Sequence, residues 1–307
     1  MRFLAIAAFA SLATGCAELG VIHDGTSISI GRPNRGRIVD GVRLPNRGDG
    51  FMTRSTWQTR GNRYGTDELV DLITAVSRRL VIKTNGVRLV VADLSGRGGG
   101  ESRLWHRSHQ NGRDVDLLYF VRDADGKPVE PEVMHVFKPD GSAKDGSGLH
   151  VDVPRTWHLV RELVTAPEAT VQWVFMYEPI ATKLLEYAQQ SGEPEALIAR
   201  ARKALKQPGD SAPHNDHMHV RVYCSVADRA YGCQDIGQRE LLAEREAELA
   251  AQTDTIAAAF GGSGAPVTTA NWSTAASATP PAPVALQSIG RKLLRTRSHR
   301  LDLRRWR

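Results

Sequence analysis

The chain has 307 residues, 41% hydrophobic and 24% charged, which is ordinary globular composition and excludes a collagen, a coiled coil and a wholly disordered protein. Its formal charge of +6 and pI near 9.4 raise the question of a nucleic-acid or anionic-surface partner. Residues 291–307 answer it: they hold eight Arg and Lys against one Asp, leaving 32 basic and 33 acidic side chains in residues 1–290. The basic character is that of a terminal arm, and no nucleic-acid partner is expected for the near-neutral remainder.

At the N-terminus, Arg2 precedes an apolar run from Phe3 to Ala13 and small residues ending in Thr14-Gly15-Cys16, the layout of a secretory signal over residues 1–15. The run is too short for a stable membrane span. Cys16 after Gly15 also has the form of a lipoprotein acceptor, although Ala13 stands where Leu is usual, so membrane attachment through a lipidated Cys16 is an expectation alongside plain cleavage. The expected compartment is the periplasm. Of the three cysteines, the other two, Cys224 and Cys233, are nine positions apart. With Cys16 taken by lipid they are free to close a small disulfide loop in an oxidising compartment; two free thiols are the alternative.

From residue 24 to residue 60, Gly, Arg, Asn and Pro predict a loop-rich entry segment. Thr66 then reads as an N-cap, and Leu69, Leu72, Ile73, Val76 and Leu80 recur on one helical face. Residues 87–92, 114–121, 171–175 and 217–222 read as strands, and 156–164, 179–189 and 193–206 as helices. Strands and helices do not alternate regularly, so the expected class is α+β on a central, mostly antiparallel sheet flanked by helices. The Gly96–Gly100 run lacks the Lys-Ser/Thr pair of a phosphate loop and is read as a flexible loop. Residues 239–252 read as a solvated helix. Beyond Phe260 the Gly, Ala, Ser, Thr and Pro composition predicts a disordered linker, so the expected domain runs over residues 16–255 and the linker with its basic tail over 256–307.

Five of the ten histidines fall in two windows: His106 and His109 in one, His214, His217 and His219 in the other. On a strand His217 and His219 share a face, with Met218 and Asp216 turned the other way. Gly112 supplies the tight backbone that returns His109 beside Asp116. Two imidazoles and a carboxylate leave a zinc ion one open position for water, the arrangement of a catalytic site. His135, His150 and His158 lack partner spacing and are expected at surface or packing positions.

SHQNGRDVD at Ser108–Asp116 together with HNDHMHVR at His214–Arg221 resembles the penicillin-insensitive murein endopeptidases, zinc enzymes of the lysostaphin, D-Ala-D-Ala carboxypeptidase and hedgehog superfamily. Ser29-Ile30-Gly31 with Asn34 and Gly36, Tyr64-Gly65, Val90-Val91-Ala92-Asp93 and the cysteine pair follow in the same order, so the resemblance covers about residues 25 to 237. It implies a hedgehog/D-Ala-D-Ala peptidase-like fold with the zinc site on the sheet. It implies His109, Asp116 and His219 as zinc ligands, His217 as the catalytic histidine and His214 as a further active-site histidine. His106 matches a contributor to a second, weaker metal position, whose other partners would come from around Asp145 and His150, where the local length departs from the family. The implied activity is hydrolysis of D-alanyl to meso-diaminopimelate cross-links in peptidoglycan. A carboxypeptidase on free D-Ala ends, anchored by Arg103, Arg107 or Arg113, and a non-catalytic zinc-containing wall-binding module remain alternatives; oligomeric state is open.

Overall fold

The computed structural model describes residues 25–101, 106–209 and 211–259. The expected signal segment, Cys16, Arg103 and the linker and tail from 260 onward lie outside them. Contacts divide the chain after Thr253. In the first unit the elements run β1 (Ile28–Arg32), β2 (Arg35–Val39), β3 (Val42–Arg43), β4 (Arg47–Gly48), β5 (Phe51–Met52), α1 (Ser55–Arg60), β6 (Tyr64–Gly65), α2 (Asp67–Lys83) and β7 (Leu89–Val90). They continue through β8 (Asp114–Leu117), β9 (Val121–Arg122), β10 (Pro128–Val129), β11 (His150–Val151), α3 (Val153–Thr165), β12 (Val171–Phe175) and α4 (Glu178–Gln190). Last come α5 (Glu195–Ala204), β13 (Leu205–Lys206), β14 (Met218–Val222), α6 (Val226–Ala230) and α7 (Glu240–Ala259), whose last residues are all that is described of the second unit.

The class is α+β. The largest sheet has the order β13-β12-β14-β8, with β12–β14 and β14–β8 antiparallel and β12–β13 parallel. Strand β8 also exchanges backbone bonds with the segment after β7: Asp116 N donates to Asp93 O, and Ala92 N to Asp116 O. Alternation sorts the two faces. Val115, Leu117, Val174, Met218 and Val220 are buried in the core formed with α2, α3, α4 and α5, whereas Asp114, Asp116, His219 and Arg221 share the opposite face. The apolar side chains at 69, 72, 73, 76 and 80 hold α2 to this core, each contributing about 1.5–3 kcal/mol by burial. Thr66 Oγ1 caps α2 by accepting from Leu69 N, and Asp152 caps α3 by accepting from Arg155 N.

The entry segment is more regular than its composition implies. It contains the β1–β2 hairpin, three two-residue strands and the short helix α1, because its polar turns are tied down by distant partners: Gly31 N donates to Gly232 O, and Ser29 N to Asp228. The 193–206 segment splits into α5 and β13, since Leu205 and Lys206 pair in parallel with Val174 and Phe175. Cys224 and Cys233 form a disulfide, with Cys233 beside β1 through its bridge to Gly31. No helix among the described residues is long and apolar enough to cross a membrane.

Candidate metal centre

The β14–β8 register places His219 directly opposite Asp116 and Arg221 opposite Asp114. His109 reaches the same face from the preceding loop. Its backbone is left-handed, at φ 63°, a conformation that is costly for a residue with a Cβ and persists only where surroundings over-determine it. Here the His109 N–H donates to Asp114 Oδ2 at 3.0 Å, its carbonyl accepts from Ser95 Oγ at 2.5 Å, and its Nδ1 donates to Leu94 O at 3.1 Å. Gly112 completes the turn at φ 80°, and a Cβ there would lie 2.3 Å from Ile38 Cδ1. A side chain at that point would be strained by the positive φ and would displace Ile38.

Three donor atoms converge. His109 Nε2 lies 3.2 Å from Asp116 Oδ1, His219 Nδ1 lies 3.3 Å from the same oxygen, and the two nitrogens are 3.3 Å apart. Donors about 2.0–2.1 Å from a tetrahedral ion stand about 3.3–3.4 Å from one another, so this triangle has the size of one face of such a site. The hydrogen-bond network also sets the tautomers. His109 spends its Nδ1 proton on Leu94 O, and His219 Nε2 makes a bent contact of 3.2 Å with Asp114 Oδ1. The remaining His109 nitrogen therefore faces the Asp116 carboxylate as a lone pair, with His219 Nδ1 beside it. Asp116 is fully buried and neither of its oxygens has a hydrogen-bond partner, so the centre demands positive charge, from protons or from a cation.

The electrostatics express the same demand. Burial works to raise the Asp116 carboxyl, and His109 and His217 outweigh it, holding it well below the usual carboxylate range. Burial likewise opposes charge on His219, which Asp114 and Asp116 nevertheless push up. Asp114 is also fully buried and is held well below the usual range by Arg221 and His219 against its own burial. Its two oxygens receive Arg221, His219 and the His109 backbone.

His217 Nε2 is 3.5 Å from Asp116 Oδ1, while its Nδ1 donates to Asp216 Oδ1 at 2.7 Å. This corrects the expected place of Asp216: residues 216 and 217 precede β14, strand alternation does not govern them, and the carboxylate turns to its neighbour's ring. Burial alone lowers His217, but Asp116 and Asp216 push it up to about 10. His214 is driven the other way, to about 4, by burial and by the neighbouring His219 and His217. Its ring centroid is 5.0 Å from that of His217, its Nδ1 donates to Ala212 O at 3.1 Å, and its carbonyl accepts from the buried Tyr119 hydroxyl at 2.9 Å.

His106 stacks on His109 with ring centroids 4.2 Å apart, and with His109 and Asp116 it forms a cluster of the kind that holds a metal ion. Its Nδ1 lies 3.6 Å from Asp116 Oδ2, and its Nε2 lies 3.1 Å from the buried Asp93, which also pairs with Arg60. Asp145 instead receives His135 Nδ1 at 2.5 Å, giving His135 a partner that its spacing did not suggest, while His150 Nδ1 donates to Gly148 O. His158 is half-buried on α3. Arg113 is unsuited to hold a substrate carboxylate, because it is buried and spent on Asp235, Val222 O and Gln234 O.

The sequence reading passed over Asp114, Asp93 and Tyr119. Asp114 had a signal, since it stands two positions before Asp116 and shares its face of β8. Asp93 and Tyr119 had none in spacing, because their partners lie 13 and 95 positions away.

A buried triangle of two imidazoles and a carboxylate, with a third imidazole beside it, is the arrangement used by metal-dependent hydrolytic centres. Comparison with known proteins is consistent with this class. Residues 29–255 match the family described as penicillin-insensitive murein endopeptidase, and the chain belongs to that family. It is 27% identical over 217 residues to the penicillin-insensitive murein endopeptidase of Klebsiella pneumoniae, covering 69% of this chain and 71% of that protein. Proteins of the same name from Haemophilus influenzae and Escherichia coli O1:K1 are each 27% identical, over 216 and 208 residues, with 68% of each covered.

Proposed function

We propose that this protein is a zinc-dependent murein DD-endopeptidase that hydrolyses the D-alanyl to meso-diaminopimelate cross-link of peptidoglycan. The observation that carries the reading is the triangle of His109, Asp116 and His219 around an unpartnered buried carboxylate, with His217 Nε2 aimed at the same oxygen. His109, Asp116 and His219 would hold the zinc. When bound, the ion lowers the pKa of water towards neutrality and polarises the scissile carbonyl. His217 Nε2 would take the proton of the attacking water and return it to the leaving amine, its raised pKa relieved once the Asp116 charge is committed to the ion, while Asp216 fixes the ring by accepting from Nδ1. His214 stays neutral and spends its one N–H on Ala212 O, which favours a role in orienting His217 over donation to the developing oxyanion. His106 Nδ1 faces Asp116 Oδ2 and is the ligand that a second, weaker ion would add.

The same reading extends to the fold and the chain's organisation. The sheet and its flanking helices support a hedgehog/D-Ala-D-Ala peptidase-like arrangement. Residues 1–15 are a signal, with Cys16 a lipidation point. Residues 16–255 form the peptidase domain, and residues 256–307 a linker and basic arm that holds the enzyme against anionic envelope polymers. The site of action is the periplasm.

Purified, zinc-loaded protein should convert muropeptide dimers to monomers, identified by mass. Chelator or His219→Ala should abolish the conversion, and β-lactams should leave it intact, because no serine acyl-enzyme is involved. Unchanged activity after complete metal removal refutes the mechanism. Release of free D-Ala from uncross-linked peptides in place of monomers would identify a carboxypeptidase, and sacculus binding without any product a wall-binding module.

A further inference from the structure

One row of directly paired residues crosses all four strands of the largest sheet. Asp116 on β8 faces His219 on β14, His219 faces Phe175 on β12, and Phe175 pairs with Lys206 on β13. Paired residues share a face, so the row starts at the metal centre and ends at the sheet edge, on the side away from the core. The next row sorts the other way: Leu205 pairs with Val174, and both pack into the core. Lys206 is exposed. With strands about 4.8 Å apart, its backbone stands about 10 Å from that of His219.

Phe175 borders the centre itself. Its ring centroid is 5.4 Å from that of His219, which it meets edge-on, and 6.2 Å from that of His214. Trp173 stacks beside it at 5.7 Å, and the Arg221 guanidinium, neutralised by Asp114, lies 5.3 Å from the Phe175 ring centre. Lys206 Nζ stands 4.7 Å over the Trp173 ring, which keeps the ammonium on this face. Neither ring joins the apolar clusters that fill the core, and Phe175 is only half-buried. Among the described residues Lys206 pairs with no carboxylate; the described acids on the adjoining segments are exposed Glu178 and Asp216, the latter spent on His217.

We propose that Phe175 and Lys206 form the subsite that fixes the stem peptide beside the metal centre: the Phe175 ring supports the aliphatic part next to the reacting amide, and the Lys206 ammonium receives a peptide carboxylate. The inference rests on the substrate reading above and deepens it. A D-alanyl to diaminopimelate cross-link presents methyl and methylene groups at the amide, and carboxylates on diaminopimelate and at a free D-alanine terminus. An apolar wall with a single placed charge is how a concave site fixes such a ligand.

The test uses the full, metal-loaded chain on muropeptide dimers with all carboxylates free, with the diaminopimelate carboxylates amidated, and with the D-alanine terminus amidated. Lys206→Ala should raise KM about fivefold on free dimers with kcat little changed, and Lys206→Arg should restore it. The Lys206→Ala effect should vanish on whichever amidated dimer lacks the recognised carboxylate. Phe175→Ala should raise KM about tenfold on every dimer, with metal affinity, read by competition with a chelator, at the wild-type value. Because Lys206 is exposed, its variants decide the matter even if Phe175→Ala fails to fold. A Lys206→Ala effect of equal size on all three dimers, or none, overturns the proposal; so does a Phe175→Ala protein that loses metal affinity with KM unchanged, since the ring then only props His219. Should wild-type protein cleave no dimer, the substrate reading fails separately. Equilibrium titration of the uncleaved dimers then still decides the subsite: weaker binding by Lys206→Ala on free dimers alone supports it, and unchanged binding refutes it.

Discussion

Among single residues, Asp114 has the most to reveal. Its carboxylate contacts His219 on the edge of the ring opposite the donor nitrogen and anchors the His109 backbone, so it orients two donors without facing the triangle itself. Asp114→Asn keeps the shape and loses the charge. Metal affinity should fall about 10–100-fold, read by competition with a chelator, while His217→Ala should leave affinity near wild type and lower kcat by about 10²–10⁴. Equal metal affinity in Asp114→Asn and wild type would remove Asp114 from this role. The histidine windows were legible because HxH on a strand and a His with an Asp seven positions on are local patterns. Asp216 departs from the expected direction for a local reason too: it stands two residues before β14 begins, where strand alternation does not hold and a side-chain hydrogen bond from His217 decides the direction. The pairings of His135 with Asp145 and of Tyr119 with the His214 carbonyl depend on how loops fold back, which periodicity does not encode.

At the level of elements, the long amphipathic helices and the two strands that carry Asp116 and His219 were readable, since each has a full period of apolar residues and a polar cap or turn at its end. The two-residue strands were not. Pairs such as Val42–Arg43 with Tyr64–Gly65 exist only because distant segments supply the partner groups. The Cys224–Cys233 bridge belongs to this scale: it ties the segment leaving β14 to the strand edge at Gly31. Closing so small a loop is worth about 2–3 kcal/mol through the unfolded chain. A Cys224→Ser/Cys233→Ser protein should show a denaturation midpoint lowered accordingly, with a denaturant slope no smaller than that of the wild type, because the freed unfolded chain exposes more surface. A stability equal to wild type under oxidising conditions would mean that the neighbouring hydrogen bonds carry that corner alone.

For the molecule as a whole, Asp228 gives the stability a pH dependence separate from the centre. It is buried at the start of α6, accepts from Ser29 N, and is pushed up to about 6, chiefly by burial. A carboxyl raised above its unfolded value of 3.8 favours the folded state most fully below that value, and the advantage is lost as pH rises through about 6. Between about pH 3 and about pH 7 the wild type should therefore lose about 3 kcal/mol relative to Asp228→Asn, measured by denaturant unfolding of both proteins. Parallel stability curves would refute this. The register of β14 on β8 has a global consequence of its own. Because His219 meets Asp116 only in that register, a slip by one residue turns the ligands towards the core and destroys the triangle. A cation that binds the triangle discriminates between correctly and incorrectly paired chains, stabilising the former in proportion to its concentration. On the proposed metal-dependent reading, the supply of metal during folding would select strand pairing as well as activity.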